Sequence, residues 1–158
     1  MLLQFVQWCE GSALGTAIRE SPYAFALIES VHLLALAVIG GAILVVDLRL
    51  LGVGLKKQPL AELGRDAWKW QKLALAVLIV TGLGLFLSES LKCYYSTPFW
   101  VKMSTLSVAI LFAWTVRRMV IFSGPERFGR STTALVALIS MTLWFVVGAS
   151  GRWIGFSG

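Results

Sequence analysis

Charge is scarce in this sequence. Only 14% of its 158 residues are charged and 58% are hydrophobic, whereas soluble domains have about a quarter charged and about half hydrophobic residues. A shortage of charge on this scale excludes an ordinary soluble or disordered protein and indicates a membrane protein. The net charge of +6 does not indicate nucleic-acid binding, because the basic residues flank apolar runs and do not alternate with aromatic residues.

Histidine and cysteine are also scarce, and they are residues on which many enzymes depend. The chain has one histidine and two cysteines. A mononuclear zinc or copper site is disfavoured, because the Glu29-x-x-His32 pair offers two ligands and there is no second histidine. The sequence contains no P-loop, dinucleotide-binding fingerprint or Ser/His/Asp arrangement. We therefore expect no self-contained hydrolytic activity.

The first twenty residues predict an amphipathic helix at the membrane interface. They lack the basic start of a signal peptide, and Glu10 interrupts their apolar stretch. Their apolar residues cluster on one side of a helix, which is typical of interfacial helices. Ser21 and Pro22 are expected to end this helix and to begin the next, with the serine as its N-cap.

Four apolar segments follow the predicted interfacial helix. They lie at about residues 23–51, 68–90, 99–122 and 131–156. Crossing a bilayer takes about 20 apolar residues, and two segments reach that length only if Lys72 and Lys102 extend toward the interfaces. The predicted fold class is all-α: a polytopic membrane protein in which residues 21–158 form a four-transmembrane-helix bundle and residues 1–20 form the interfacial helix.

Small residues mark the places where these helices are expected to pack closely. They occur as Gly40-Gly41 in the first segment, as Gly82-x-Gly84 in the second and as Gly148-Ala-Ser-Gly151 in the fourth. Such residues let helix backbones approach one another in membranes.

Basic residues predict how the chain is threaded. Ten lie in the two connections between segments one and two and between segments three and four: Arg49, Lys56, Lys57, Arg65, Lys69, Lys72, Arg117, Arg118, Arg127 and Arg130. The opposite side has four: Arg19, Lys92, Lys102 and Arg152. The positive-inside rule therefore places both connections in the cytoplasm. We expect a multi-pass protein of the bacterial inner membrane with both termini in the periplasm.

The few polar residues within the spans fall into two layers. On a helical projection, Glu29 and Asp47 lie about 60° from His32, so the three share one stripe of the first span. Lys102 and Arg117 of the third span have the same fifteen-residue separation as His32 and Asp47. Two ion pairs, Glu29–Lys102 and Asp47–Arg117, are therefore expected to join these helices. Arg49, at the end of the first span, is expected to pair or to anchor at the interface.

The outer layer is also a candidate cofactor site. A periplasmic pocket of Glu29, His32, Lys102 and Arg152 would let His32 serve as a heme ligand or a proton carrier. Heme b would have His32 alone or a His32–Met103 pair as its iron ligands, with Lys102 and Arg152 beside the propionates. A quinone is the other cofactor considered. Possible protein partners are other membrane redox subunits or a second copy of the chain.

The two cysteines fall on the outer side in this topology. A disulfide between Cys9 and Cys93 would tie the N-terminal helix to the connection between spans two and three, as the oxidising periplasm allows. Two separate thiols are the alternative.

The first span also carries a resemblance to known families. Glu29-x-x-His32, Gly40-Gly41 and Asp47-Leu-Arg49-Leu-Leu-Gly resemble a family of small bacterial membrane proteins of unknown function, over nearly the whole chain. More distantly, the chain is similar to HemJ-type protoporphyrinogen oxidases and to CopD-type copper-resistance membrane domains. The positions similar to HemJ are His32, Arg49, Trp100 and Lys102.

Three departures from the HemJ pattern limit what this resemblance implies. Glu29 stands where HemJ proteins have a basic residue, the Trp–Lys spacing is shorter, and their Asn-Glu-x-Pro element is absent. The resemblance therefore implies a four-helix membrane fold and not the oxidase activity. The sequence leaves three functions open: a redox-associated subunit, a structural or accessory membrane protein, and a small metal or proton transporter.

Overall fold

The computed structural model describes residues 1–54, 57–123 and 125–156, and its regular structure is helical. Lys56, one of the basic residues on which the predicted topology depends, lies outside the described residues. The helices, in chain order, are α1 (Leu2–Glu10), α2 (Ala13–Glu20), α3 (Ala24–Leu50), α4 (Leu60–Ser88), α5 (Ser90–Tyr95), α6 (Thr97–Phe112), a π-helical turn (Ala113–Arg117), α7 (Arg118–Ser123) and α8 (Pro125–Ile154).

Four helical segments are long and apolar enough to cross a membrane. They are Ala24–Leu50, Leu60–Ser88, Thr97–Ser123 and Glu126–Ile154. The predicted all-α class with four candidate spans is confirmed. The second candidate span, α4, begins eight residues before the predicted segment, because its first two turns are polar and a search for apolar windows does not detect them.

The spanning helices form an antiparallel bundle that is open on one side. Helix α3 packs between α4 and α8, and α6 packs against the other side of α8. Phe86 of α4 stacks on Phe99 of α6 at one end of the bundle, and at the other end α7 packs against α4. There Gly64 allows the close approach, because a Cβ at that position would lie 2.4 Å from Cγ2 of Ile121. We call the two ends of the bundle the His32 end and the Asp47 end.

The N-terminal segment differs from its prediction, because it is two short helices and not one. The chain turns at Gly11, and the Ser12 hydroxyl caps α2 by accepting a hydrogen bond from the amide of Gly15 at 3.1 Å. Serine is a strong N-cap residue, so it begins a new helix where a continuous one was expected. We call α1 and α2 together the N-terminal hairpin.

The hairpin is fastened to the break between α4 and α5. Arg19 donates a hydrogen bond to the carbonyl of Ser88 at 3.0 Å, and Glu10 Oε2 accepts one from the amide of Leu91 at 2.6 Å. Gly15 lies so close to Leu87 that a Cβ would be 2.4 Å from its carbonyl oxygen. The hairpin thus satisfies backbone groups that the helix break would leave without partners.

Candidate functional site

His32 lies half-buried on α3, two turns inside the bundle, and faces α4. Its Nδ1 is 2.8 Å from the hydroxyl oxygen of Thr81, which lies 2.6 Å from the carbonyl oxygen of Val77. The hydroxyl has one proton and donates it to the carbonyl, which can only accept. Thr81 therefore accepts from Nδ1–H of His32, and when the ring is neutral Nε2 carries its lone pair.

Gly82 provides the space for the imidazole. A Cβ at this position would lie 3.2 Å from Cε1 of His32, closer than ordinary van der Waals contact. Consecutive residues of α4 therefore hold the ring in two ways: Thr81 orients it through a hydrogen bond, and Gly82 lets α3 and α4 approach around it.

Lys102 supplies the charge of the site. It is half-buried on α6 and lies along Gly151 of α8, with Nζ 3.4 Å and Cε 3.5 Å from where a Cβ of Gly151 would be. Its ammonium group is near enough to His32 and to the Cys93 thiol to act on both electrostatically. We call His32, Thr81, Gly82, Lys102 and Gly151 the His32 site.

The cysteines lie beyond this site, in the α1–α5 layer. Cys9 and Cys93 are both buried and are free thiols in this structure, which was one of the two alternatives that the sequence left open. Burial, followed by the negative charge of Glu89, raises the pKa of the Cys93 thiol to about 11. A thiol with this pKa stays protonated at physiological pH and is a weak nucleophile.

Three other residues of the predicted outer pocket do not join the His32 site. Glu29 is half-buried, and among the described residues it forms no ion pair with Lys102. Met103 is 42% exposed on α6. The guanidinium of Arg152 is exposed and lies 4.7 Å from the centre of the Phe156 ring. A helical projection assigns faces but cannot show which neighbouring helix each face meets.

The Asp47 end contains a buried ion pair. Arg117 Nε donates to Asp47 Oδ1 at 2.8 Å, and Arg117 Nη2 donates to the carbonyl of Ile43 at 3.3 Å. The side chains of the two charged residues are 0% and 2% exposed. The structure thus contains the Asp47–Arg117 pair that the sequence predicted. Arg49, in contrast, donates to the carbonyl of Gln58 at 3.3 Å and holds the adjoining loop.

Sequence reasoning missed Thr81, although a signal was present. Thr81 is the only side chain with a hydrogen-bonding group in LALAVLIVTGLGLFLS before its final serine. A single hydroxyl in the middle of an apolar span indicates a hydrogen-bond partner on a neighbouring helix, because such groups need partners in hydrocarbon. Among the residues that the structure describes, no group of three or more His, Cys, Asp or Glu side chains is arranged to hold a metal ion.

The fold and the site define a class: a polytopic α-helical membrane protein with four candidate spans, a histidine–threonine–lysine site at one end and a buried ion pair at the other. A family model matches residues 5–157, and the chain belongs to the family of unknown function DUF6644. No curated protein and no solved structure matches the chain.

Proposed function

We propose that this chain is a redox-associated subunit of the bacterial inner membrane that binds heme b or a quinone at the His32 site. The observation that supports this most is the state of the His32 ring. Nδ1 is engaged by Thr81, while Nε2 has no hydrogen-bond partner among the described residues. Histidines that bind metals or accept protons are commonly oriented in this way, with one ring nitrogen donating to a fixed acceptor.

The described residues provide one candidate ligand for a heme iron. The chain has one histidine, and the exposed Met103 does not share its position, so His32 Nε2 would be the ligand from this chain. The Lys102 ammonium would pair with a propionate. For a quinone cofactor, Nε2 would accept a hydrogen bond from a hydroxyl of the reduced quinol, and Lys102 would donate to a carbonyl oxygen of the oxidised quinone. Either group, when bound, supplies reversible electron transfer in the membrane.

The chain's own residues then have defined tasks. Thr81 fixes the orientation of the imidazole, and Gly82 keeps the space that the ring occupies. Lys102 places a positive charge beside the bound group and so stabilises the negative charge that an added electron brings. Electrons must reach the site from elsewhere, so a second redox subunit of the membrane, or a second copy of this chain, is the expected partner.

The orientation supports a periplasmic site. Both predicted basic connections, α3–α4 and α7–α8, leave from the Asp47 end of the bundle. The positive-inside rule then assigns that end to the cytoplasm and the His32 end to the periplasm. Of the four positions similar to HemJ proteins, His32 and Lys102 are the two that the proposal assigns to the cofactor site. Trp100 donates to the carbonyl of Tyr94 at 3.0 Å. The proposal does not extend to the oxidase activity, because the chain departs from the HemJ pattern at Glu29, in its Trp–Lys spacing and in its lack of the Asn-Glu-x-Pro element.

The test is the cofactor content of the protein purified from membranes in mild detergent. Absorption spectra with and without dithionite report heme, and solvent extraction followed by chromatography reports quinone per mole of protein. We expect one of the two in wild type and a strong loss in His32→Ala. A flat Soret region together with quinone at background level in wild type would reject the proposal.

A structural or accessory role is the second candidate, and the Asp47–Arg117 pair favours it. This pair joins α3 to the third span, and both of its side chains are buried, as expected of charges that only assemble a bundle. A transporter for a metal ion or protons is the third candidate, and half-buried Glu29 is its expected carrier. Unchanged uptake by vesicles containing Glu29→Gln would remove that candidate.

A further inference from the structure

The bundle has an opening along one side, between α4 and α6. These two helices touch near the His32 end, where the rings of Phe86 and Phe99 stack with centroids 5.8 Å apart. Near the Asp47 end, Trp68 of α4 meets Trp114 of the π-helical turn that follows α6, with ring centroids 5.7 Å apart. Between these contacts lies a narrow crevice, which we call the lateral crevice. Its residues include Ile39, Trp68, Lys72, Leu75, Trp114 and Trp144.

The floor of the lateral crevice is apolar and its rim is basic. Ile39 of α3 and Trp144 of α8 lie behind the gap, and Leu75 and Ile110 form its sides. Lys72 lies in the wall of the crevice and is exposed. Side chains on a helix lean toward its N-terminus, so Lys72 leans toward the Asp47 end, where α4 begins.

Arg118 adds a second cation beside Trp68, one of the residues that line the crevice. Its guanidinium lies 5.5 Å from the centre of the Trp68 ring and 5.9 Å from that of Phe122. A cation over an aromatic face keeps its charge and its remaining donors. Within the described part of the chain, neither Lys72 nor Arg118 forms an ion pair with a carboxylate. Among the described residues, these two cations therefore lie without a carboxylate partner beside the apolar floor of the lateral crevice.

We propose that the lateral crevice binds one anionic phospholipid, with part of an acyl chain against Leu75, Ile110 and Trp144 and the phosphate between Lys72 and Arg118. The apolar floor and the basic rim together favour a lipid with a net negative charge over a lipid without one. Basic pockets between transmembrane helices are known to take anionic headgroups. The Trp68–Trp114 contact lies between the two parts of the site, as expected of aromatic residues at the level of the lipid headgroups.

The first test varies the lipid. Lipid-free protein in detergent is titrated with phosphatidylglycerol or with phosphatidylcholine of the same acyl chains, and the bound lipid is counted by native mass spectrometry. We expect one tightly bound phosphatidylglycerol and at least about tenfold weaker phosphatidylcholine binding. Equal affinities would overturn the proposal. Saturation of the site by inorganic phosphate alone would also overturn the proposal, because the apolar floor of the lateral crevice would then contribute nothing to binding.

The second test removes the charge of the rim. Lys72→Gln/Arg118→Gln is compared with Lys57→Gln/Arg127→Gln, which removes the same charge from exposed positions at the same end of the bundle. We expect at least about fivefold weaker phosphatidylglycerol binding in the first variant and less than about twofold in the second. Equal losses would mean general attraction to a basic surface and would overturn a defined site.

The third test fills the lateral crevice with a larger side chain and leaves the charge of the protein unchanged. Leu75→Trp places a large ring in the crevice, whereas Leu73→Trp makes the same substitution at an exposed position of the same helix. We expect Leu75→Trp to weaken phosphatidylglycerol binding at least about fivefold and Leu73→Trp to leave it unchanged. Unaltered binding by a folded Leu75→Trp protein would overturn the placement of the acyl chain.

Discussion

At the residue scale, Asp47 and Arg117 show how the Asp47 end of the bundle tolerates buried charge. Both side chains are almost fully buried, and each is the ion-pair partner of the other. The π-helical turn that ends at Arg117 belongs to this arrangement, because it changes the helical register of the third span at that residue. A buried pair of this kind contributes little net stability against an apolar replacement, but removing one partner leaves an uncompensated charge.

Asp47→Ala should therefore destabilise the protein by about 3–5 kcal/mol, the usual cost of breaking a buried pair. Asp47→Leu/Arg117→Met should be clearly more stable than Asp47→Ala, because it leaves neither charge behind. Asp66→Ala is the control, since it breaks the exposed Asp66–Lys69 pair and should cost less than about 1 kcal/mol. Thermal unfolding in detergent measures all three. If Asp47→Ala is no less stable than Asp66→Ala, the pair does not hold α3 to the third span.

Thr81 is the residue that most directly separates a functional His32 from a structural one. Thr81→Val removes the hydroxyl that orients the ring, while Thr115→Val removes a hydroxyl with the same 2.6 Å bond to a carbonyl four residues earlier but at an exposed position. We expect Thr81→Val to lower cofactor content or shift its potential and Thr115→Val to do neither. Identical behaviour of the two variants would mean that Thr81 does not position the histidine.

Some of the contacts made by charged residues could be predicted from the sequence, and others could not. The Asp47–Arg117 pair was predictable because both residues interrupt apolar helices at matching depths, and such charges must find each other. The same reasoning placed Lys102 opposite Glu29, but Lys102 lies along Gly151 of α8 instead. Lys102 has a long, flexible side chain at the end of a span, so its partner depends on packing that a linear pattern does not contain.

At the scale of helices, the glycines also show that a sequence pattern does not reveal which neighbouring helix a residue contacts. Gly82 and Gly151 permit close contacts, with His32 and Lys102 respectively, as expected of small residues. Gly40 and Gly41 were expected to do so too, yet among the described residues no atom outside their own stretch of helix lies within 4 Å of where their Cβ atoms would be. The sequence shows where a glycine lies, but not which surface it faces. Helix ends outside the membrane were likewise underestimated, because apolar patterning stops where the hydrocarbon stops.

Gly15 and Gly40 offer a comparison of two glycines in different surroundings. Gly15→Ala places a methyl group against the backbone oxygen of Leu87, and overpacking of this kind typically costs about 1–3 kcal/mol. Gly40→Ala meets open space and should be neutral or slightly stabilising in its helix. Thermal unfolding reports both effects, and faster trypsin cleavage after Arg19 reports a loosened N-terminal hairpin. A stable Gly15→Ala protein with an unchanged cleavage rate would contradict the packing of α2 on α4.

At the scale of the whole molecule, the two ends of the bundle have different chemistry. The Asp47 end carries most of the basic residues and a closed ion pair, whereas the His32 end carries the N-terminal hairpin and the half-buried His32 site. Composition and apolar length were enough to predict four spans. They could not predict the order of helices around the bundle, or that it stays open between α4 and α6.

The proposed orientation is tested with single cysteines in a Cys9→Ala/Cys93→Ala background. Cys93 itself is a poor reporter, because it is buried and its thiol pKa is about 11. Tyr95→Cys is exposed at the His32 end, and Lys57→Cys is exposed at the Asp47 end. A membrane-impermeant maleimide added to spheroplasts should label Tyr95→Cys and spare Lys57→Cys. The reverse pattern would invert the topology and place the His32 site in the cytoplasm.

The central claim is that His32, oriented by Thr81 and accompanied by Lys102, holds a redox cofactor. The most direct measurement is the amount of heme and of quinone that co-purifies with wild type and with His32→Ala, each prepared from the same membranes. We expect close to one equivalent of one cofactor with wild type and a small fraction of that with a folded His32→Ala protein. Equal amounts in the two proteins, or neither cofactor in wild type, would contradict the claim.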